Sequence, residues 1–147
     1  MRFMMIIKAN AQSEAGVMPS IETLTAMGRY NEELVKAGVL LTGEGLHPSA
    51  QGARLHYVNG KRTVVDGPFA EAKELVAGFR IIQVKSKAEA IEWMRRIPLG
   101  DEANEYGGEA IVELRQVFES EEFTTATPEL IEQENRLRAT VEARTKH

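Results

Sequence analysis

The stretch VVDGPFAEAKELVAGF, residues 64–79, leads from one kind of β-structure into another and decides how the rest of the chain is arranged. It starts in the second strand of a predicted hairpin, residues 53–65, whose turn is Asn59-Gly60, the favoured two-residue type I′ sequence. Asp66-Gly67-Pro68-Phe69 then breaks the strand. Residues 75–84 are apolar and predict a further strand. The stretch is therefore a turn that also lies where strand ends can form a site.

Outward from this stretch, the pattern of apolar residues predicts three further strands and three helices. The strands are residues 3–7, 39–42 and 110–118, and the helices are residues 20–37, 86–97 and 128–145. A polar, glycine-containing loop is predicted over 100–108. Without the hairpin the order is βαββαβ, the ferredoxin-like unit. The sequence therefore predicts an α+β fold, with an inserted β-hairpin and an extra C-terminal helix.

The helix ends carry recognisable signals. Ser20 is a candidate N-cap, Gly38 is the expected stop after the first helix, and Ser86 to Glu89 reads as a capping box. The first helix is predicted to bury one stripe of side chains: Ile21, Leu24, Gly28, Leu34 and Val35. The last helix has few apolar residues on one face: Leu130, Leu137 and Val141. This pattern predicts that the helix packs against another element but does not form a core of its own.

The first and last strands have side chains suited to burial on both faces. Met4 and Ile6 point away from Phe3 and Met5, and Glu113 and Arg115 share one face of the last strand. Because both helices of a βαββαβ unit cross on one face of the sheet, the second apolar face needs another cover. The simplest cover is a second copy of the chain, which predicts a twofold homodimer.

Composition narrows the function classes. The net charge is −4 with no Lys/Arg-rich run, which argues against a nucleic-acid binder. Cysteine is absent, which excludes disulfides and thiol chemistry. The apolar run at residues 3–7 is too short for a signal peptide or a membrane span. These features predict a cytoplasmic protein that binds neither membranes nor nucleic acid.

The nine residues Asp66 to Glu74, Gly78 and the Glu113-Leu114-Arg115 strand together resemble the DGPF-motif subgroup of the YCII-related family. Residues 37–46 are also similar to the family's entry into its second strand. The resemblance covers residues 1–118 and leaves 119–147 as a C-terminal helical extension. Two positions depart from the pattern: Ala72 stands where threonine is usual, and Gln116 where proline is usual.

The resemblance implies a ferredoxin-like subunit that assembles as a dimeric α/β barrel. Family members are described as proteins of unknown reaction, and some are encoded beside extracytoplasmic-function sigma factors. Smaller relatives carry a histidine in the first helix and an aspartate near the second strand as an active-site pair. That pair does not carry over, because residues 20–37 contain no histidine and Met27 falls near its place.

Asp66 and His47 are the candidate catalytic residues. Asp66 lies at a strand end, where it is either a local turn former or a general base. His47 follows the second predicted strand, and histidine is a residue type suited to acid–base work, although a plain loop residue fits as well. Phe69 is either a core plug or one wall of a pocket.

Lys73, Glu113 and Arg115 are candidate substrate-binding residues. Lys73 would hold an anionic group or pair with Glu113, and Glu113 with Arg115 is either a structural ion pair or part of the pocket. Tyr30 and Arg80 are further residues that could reach a cavity. No organic cofactor motif is present, and no metal signature is predicted. His47, His56 and Asp66 form only a weak metal alternative.

Two function classes remain open at this stage. The first is a homodimeric small-molecule enzyme or ligand-binding protein with acid–base chemistry in a pocket at the barrel. The second is a non-catalytic interaction or regulatory module, linked to sigma-factor-type regulation, whose last helix grips a partner. The sequence does not identify a substrate or a reaction for either.

Overall fold

The computed structural model describes residues 1–99 and 109–145. Its strands are β1 (Arg2–Lys8), β2 (Leu40–Gly45), β3 (Ala53–Val58), β4 (Lys61–Asp66), β5 (Val76–Gln83) and β6 (Val112–Gln116). Its helices are α1 (Ala11–Glu14), α2 (Ile21–Lys36), α3 (Lys87–Arg95) and α4 (Pro128–Thr145), and short 3-10 turns lie at Ser49–Gln51, Ala72–Glu74 and Ser120–Glu122. The chain divides into a unit of residues Met1–Gln116 and a second unit that begins at Val117.

The first unit is built on a four-stranded antiparallel sheet with the strand order β2-β5-β1-β6. The first strand of the chain therefore lies inside the sheet, between two strands that come much later. The hairpin β3-β4 forms a separate two-stranded sheet. This mixed α/β arrangement, with antiparallel sheets and four α-helices in the described residues, is compatible with the predicted ferredoxin-like fold.

The core lies between one face of the four-stranded sheet and the helices α2 and α3. Phe3 and Met5 of β1 and Ile82 of β5 supply the sheet side of this core. The helices supply Tyr30, Leu34, Ala90 and Trp93. Burial of these apolar side chains is the main stabilising contribution to the unit, since it removes the largest apolar surfaces from water.

The opposite face of the sheet, which we call the open face, is apolar along its two central strands. Met4 and Ile6 of β1 lie opposite Ile81 and Phe79 of β5, and all four are partly exposed. The two-sided character predicted for β1 is therefore present in the structure.

The turn and helix-end signals give mixed outcomes. Asn59 and Gly60 have φ of 49° and 78°, which confirms the predicted hairpin turn, and Gly38 has the left-handed φ of 71° expected after α2. Ser20 and Ser86 accept bonds from the N–H groups of Thr23 and Glu89, as N-caps do. The capping box at Ser86 is wrong in one half, because the Glu89 carboxylate accepts from Lys85 N–H instead.

The buried stripe predicted for α2 is wrong at four of its five positions. Ile21 and Leu24 are 79% and 57% exposed, and Gly28 and Val35 are also exposed. The helix instead turns Met27, Tyr30 and Leu34 towards the sheet, a set at i, i+3 and i+7. The buried face of α2 therefore includes a tyrosine. Its hydroxyl donates a hydrogen bond to the carbonyl oxygen of Trp93 at 2.7 Å.

The last strand is shorter than predicted. β6 covers Val112–Gln116, so residues 110, 111, 117 and 118 of the predicted strand are not part of it. Phe118 is exposed, and its ring lies 4.9 Å from the ring of Phe123 in the second unit. The predicted loop at 100–108 lies outside the described residues.

The second unit consists of the Ser120–Glu122 turn and α4, whose predicted bounds are confirmed. Its apolar positions Leu130, Leu137 and Val141 are all exposed. A groove of about 440 Å³ runs between the residues that precede α4 and the first turns of that helix. Of the helices in the described residues, none combines the length and the apolar character that a membrane span requires.

Candidate functional site

One end of the four-stranded sheet gathers most of the residues that the sequence singles out. β1 and β2 end there, and β5 and β6 begin there, because all neighbouring strands are antiparallel. The loops that follow β1 and β2 therefore meet the loops that precede β5 and β6. We call this end the loop end of the sheet; His47, Asp66, Phe69 and Lys73 all lie in or beside its loops.

The turn from Asp66 to Phe69 is held against the Ser49–Gln51 turn by close backbone packing. Asp66 is the last residue of β4 and lies opposite Ala53. The Gly67 N–H donates to the carbonyl oxygen of Gly52 at 3.0 Å, and the peptide bond between Gly67 and Pro68 is cis. A Cβ added at Gly67 would lie 1.8 Å from the Ser49 carbonyl oxygen. Glycine is therefore required here by close approach, not by its φ angle.

Ser49 and Glu14 fasten this turn to the segment after β1. The Ser49 hydroxyl donates to the Glu14 carboxylate, and the Ser49 N–H donates to the same carboxylate at 3.0 Å. The hydroxyl oxygen also accepts from Phe69 N–H at 3.0 Å. A charged acceptor with two donors makes this a strong local network. Sequence reasoning missed it, because two polar residues 35 positions apart in loops leave no periodic signal.

Phe69 is half-buried and its ring faces a cation. The guanidinium carbon of Arg54 lies 3.8 Å from the centre of the Phe69 ring. This is a cation–π contact, worth about 0.5–1 kcal/mol at an exposed site. Phe69 therefore packs against the hairpin at Arg54, outside the core cluster of the first unit, and it forms part of the surface beside Asp66.

Ser49→Ala is expected to lower the free energy of unfolding by about 1–2 kcal/mol, because it leaves Phe69 N–H and the Glu14 carboxylate without their shared partner. Urea denaturation measures the loss. A double-mutant cycle with Glu14→Ala is expected to show a coupling of about 1 kcal/mol, since the two residues belong to one network. Additive losses would mean that the network does not act as a unit.

His47 and Asp66 flank the same backbone contact from two sides. His47 lies two residues before Ser49, and Asp66 directly precedes Gly67, so the Ser49–Gly67 contact brings their segments together. Both are exposed. Within residues 1–99 and 109–145 their side chains share no hydrogen bond or ion pair. The structure thus places the two candidate acid–base groups in adjoining segments without joining them directly.

Lys73 borders a small cleft at the loop end. Its Nζ lies 3.8 Å from Glu109 Oε1, so its ion-pair partner in the described residues is Glu109 and not Glu113. Lys8, Asn10 and Ile111 also line this cleft, whose volume is about 70 Å³. Both members of the pair are exposed, so the pair stabilises the fold by no more than about 1 kcal/mol. The Lys73 ammonium group therefore lies in an exposed, weak ion pair beside this cleft.

Glu113 and Arg115 form an ion pair on the open face of β6. Arg115 Nη1 lies 3.5 Å from Glu113 Oε2, and the two side chains are 72% and 45% exposed respectively. Their strand positions are opposite Ile6 and Met4, so the pair borders the apolar rows of the open face. In a single chain the pair is solvated, and its energetic contribution is small.

Tyr30 of α2 and Arg80 of β5 meet on the other face of the sheet, the face that the helices cover. Arg80 Nε donates to Asn31 Oδ1 at 2.8 Å, and the Arg80 guanidinium carbon lies 5.2 Å from the centre of the Tyr30 ring. Burial raises the pKa of the Tyr30 phenol to about 12, and the neighbouring Arg80 and Arg96 partly oppose that rise. Burial also lowers the pKa of Arg80, with Tyr30 acting in the opposite direction.

The candidate residues therefore fall into three groups in one chain. His47, Asp66 and Phe69 lie around the Asp66–Phe69 turn, Lys73 lies at its cleft, and Glu113 with Arg115 lies on β6. β2 and β6 are the two edges of the sheet, with two strands between them. At about 4.8 Å per strand step they are roughly 14 Å apart. No group of three or more potential metal ligands, His47, His56 and Asp66 included, occurs in the part of the chain that the structure describes.

Comparison with known proteins finds one matching family model, described as the YCII-related domain, which matches residues 1–121. An uncharacterised protein of Rhizobium meliloti (strain 1021) is 41% identical over 69 residues, which are 47% of this chain and 56% of that protein. The matched region therefore spans little more than half the length of this curated relative.

A solved structure is also similar to this chain. It is the 5-chloro-2-hydroxyhydroquinone dehydrochlorinase from Burkholderia phenoliruptrix AC1100, in complex with 2,5-dihydroxybenzoquinone. The match covers 80% of this chain and 94% of that one, with 16% sequence identity and a TM-score of 0.39. Similarity at this level carries neither substrate nor reaction to the present chain.

Proposed function

The chain belongs to the YCII-related domain family, and from this premise we propose that it is a homodimeric small-molecule enzyme or ligand-binding protein of the DGPF-motif subgroup. The four-stranded sheets of the two copies face each other and form a dimeric α/β barrel. The pocket lies where the open face meets the loop end, and its chemistry is acid–base. The observation that carries the proposal is the apolar open face beside the Glu113–Arg115 pair.

The open face supports the homodimer because of its size and its composition. Met4, Ile6, Phe79 and Ile81 form a continuous apolar block in the middle of the sheet, and all four keep part of their surface exposed. Monomers rarely present such a block to water. A second copy offers an identical block, so a twofold axis through the face pairs apolar surface with apolar surface.

A composite pocket supplies what one chain lacks. The Asp66–Phe69 turn follows the separate β3-β4 hairpin, whereas the Glu113–Arg115 pair lies on β6, an edge strand of the four-stranded sheet. A second sheet laid over the first can bring Glu113 and Arg115 of one copy towards the loops of the other. Asp66 and His47 would then act as base and acid, Lys73 and Arg115 would hold an anionic group of the ligand, and Phe69 would contact its apolar part.

The chain's charge and composition support the remaining parts of the proposal. A net charge of −4 disfavours nucleic acid and anionic membrane surfaces as partners. The absence of cysteine fits a reducing compartment, although weakly. We therefore place the protein in the cytoplasm, with a small molecule and a second copy of the chain as its partners.

Native mass spectrometry of the protein purified from cells tests the proposal directly. A dimer that carries extra mass is the expected result, and the extra mass begins to identify the ligand. A monomer at micromolar concentration would overturn the barrel. A bare dimer that binds none of a panel of small organic acids and phenols would overturn the pocket.

Arg115→Ala and Glu113→Gln are expected to change the free energy of unfolding by less than about 1 kcal/mol, because the pair is exposed. Both are expected to reduce ligand carried by the dimer in native mass spectra. Arg95→Ala is the matched control, since Arg95 forms an exposed ion pair with Glu92 on α3 at 3.3 Å. If either β6 variant unfolds or dissociates the dimer, the pair is structural.

The alternative, a non-catalytic interaction or regulatory module of the sigma-factor-linked kind, is favoured by a different observation. α4 exposes Leu130, Leu137 and Val141, and the second unit contains the larger groove. Deleting residues 120–147 separates the two functions. A truncated dimer that still carries its ligand supports the small-molecule proposal, whereas an intact dimer that loses only a protein partner supports the alternative.

A further inference from the structure

Arg80 is a buried cation with little to neutralise it. The residue is 7% exposed, and it forms no ion pair with any carboxylate of residues 1–99 and 109–145. Its Nε donates to Asn31 Oδ1, but its Nη2 contacts the Met27 sulfur at 4.0 Å, and a thioether sulfur is a weak acceptor. A buried guanidinium without an anionic partner is costly, so this arrangement calls for an explanation other than stability.

The surface around Arg80 is unusually bare. On the helix-facing side of the sheet, Gly43 lies opposite Arg80 and Gly45 lies opposite Gly78, so three of these four neighbouring positions have no side chain. We call these four residues the glycine block. A Cβ at Gly43 would lie 3.0 Å from Arg80 Cγ, whereas a Cβ at Gly45 would meet nothing within 4 Å. The block therefore makes room both for the Arg80 side chain and for something beside it.

The first half of α2 does not fill this space. Ile21 and Leu24 are exposed, and the residues that turn towards the block are Met27 and Asn31, both half-buried. The open position at Gly45 and the exposed side chains at the start of α2 leave space beside Arg80, which we call the recess. The Met27 sulfur and the Tyr30 ring are the neighbours of the Arg80 guanidinium there.

We propose that this recess is a binding site for a small organic carboxylate, with Arg80 as the group that binds the carboxylate. The terminal nitrogens of a guanidinium present parallel N–H donors that match the two oxygens of a carboxylate. Met27 and the Tyr30 ring suit an apolar or aromatic body on the ligand. A single cation and a protonated phenol match one negative charge better than the two of a phosphate monoester.

This site is separate from the one proposed above. It faces the helices, whereas Glu113, Arg115 and the apolar block of Met4, Ile6, Phe79 and Ile81 lie on the open face. Its failure or success therefore leaves the dimer and the pocket at the loop end untouched. In the recess, the Arg80 guanidinium is the group that holds the charged end of the ligand.

Nuclear magnetic resonance titration of the full chain with sodium benzoate tests the site. The expected result is a saturable shift of the Gly43, Gly45 and Gly78 amides and of the Asn31 side-chain amide. Benzamide has the same ring without the charge and is expected not to bind. Acetate, which lacks the apolar body, is expected to bind at least about tenfold more weakly than benzoate.

Arg80→Met and Gly45→Val test the residues of the recess, and Arg62→Met is the matched control. Arg80→Met is expected to raise the dissociation constant of benzoate at least about tenfold, because it removes charge-assisted hydrogen bonds. Arg62→Met removes the same charge from the exposed hairpin and is expected to bind like the wild type. Gly45→Val keeps Arg80 and fills the open space, so it is expected to weaken binding as well. If Arg80→Met does not fold, Arg80→Lys and Gly45→Val carry the test.

The proposal is overturned if benzoate causes no saturable shift in the wild type, or if Arg80→Met or Arg80→Lys binds benzoate unchanged. Inorganic phosphate that binds at Arg80 while benzoate does not would overturn the assignment to carboxylates. A thermal melt adds a further readout: benzoate is expected to raise the melting temperature of the wild type and of Arg62→Met, but not that of Arg80→Met. A purely structural Arg80 gives no benzoate-dependent shift in any of them.

Discussion

Gly67→Ala is expected to destabilise the protein by about 3 kcal/mol, at the upper end of what added atoms cost in a packed region. The added Cβ would lie 1.8 Å from the Ser49 carbonyl oxygen and 2.6 Å from its carbon, and both atoms belong to the backbone. Neither can rotate away as a side-chain tip could. The turn must therefore separate from the Ser49–Gln51 segment, which breaks the bonds of Ser49 to Phe69 and Glu14 as well.

Gly28→Ala is the matched control for this experiment. Gly28 lies within α2, and a Cβ there would meet nothing within 4 Å. The same change of residue is therefore expected to stabilise the protein by up to about 1 kcal/mol, through helix propensity. Urea denaturation of both variants gives the comparison. A Gly67→Ala protein as stable as the wild type would show that the two loop segments are not tightly packed.

The second large effect is an alkaline loss of stability carried by Tyr30. Its pKa in the folded protein is raised from 10.0 to about 12 by burial. A group with a raised folded-state pKa contributes stability that is complete below its unfolded pKa and is lost as the pH rises through the folded one. Between pH 10 and about 12 the wild type is therefore expected to lose about 3 kcal/mol at about 1.4 kcal/mol per pKa unit.

Tyr30→Phe isolates this contribution. At neutral pH the variant is expected to be about 1–2 kcal/mol less stable, because the Trp93 carbonyl loses the phenol donor at 2.7 Å and keeps only the Arg96 N–H at 3.2 Å. Above pH 10 the difference from the wild type is expected to shrink and then to change sign, since phenylalanine does not ionise. Denaturation at a series of pH values measures the difference, and Tyr57→Phe in the exposed hairpin controls for loss of a phenol. A constant difference across the pH range would contradict the buried phenol.

Much of the fold follows from local patterns in the sequence. The Asn59-Gly60 turn, the Ser20 cap and Gly38 all have local chemistry that permits few alternatives, and each is present in the structure. The α2 stripe failed because helical periodicity alone cannot choose between two faces that both carry apolar residues. In the structure α2 packs on the sheet through the face that carries Tyr30, whose hydroxyl donates to a carbonyl oxygen of α3.

The site was harder to predict than the fold. Rules about strand ends singled out His47 and Asp66, and the segments of both lie at the loop end of the sheet. The Glu14–Ser49 network and the burial of Arg80 could not be read from the sequence, since both depend on which loops and strands become neighbours. The local signal of a buried cation is an arginine, Arg80, within an apolar strand and two residues after Gly78.

The position of β1 inside the sheet has a consequence for biosynthesis. Its partners are β5 and β6, which the ribosome makes long after residues 2–8 have been polymerised. An apolar segment therefore stays unpaired while α2, β2 and the hairpin are being added. Contacts that are so distant in sequence slow folding and extend the time during which such a strand can associate wrongly. We expect nascent chains that end before β5 to recruit chaperones, and chains that extend beyond β6 to release them.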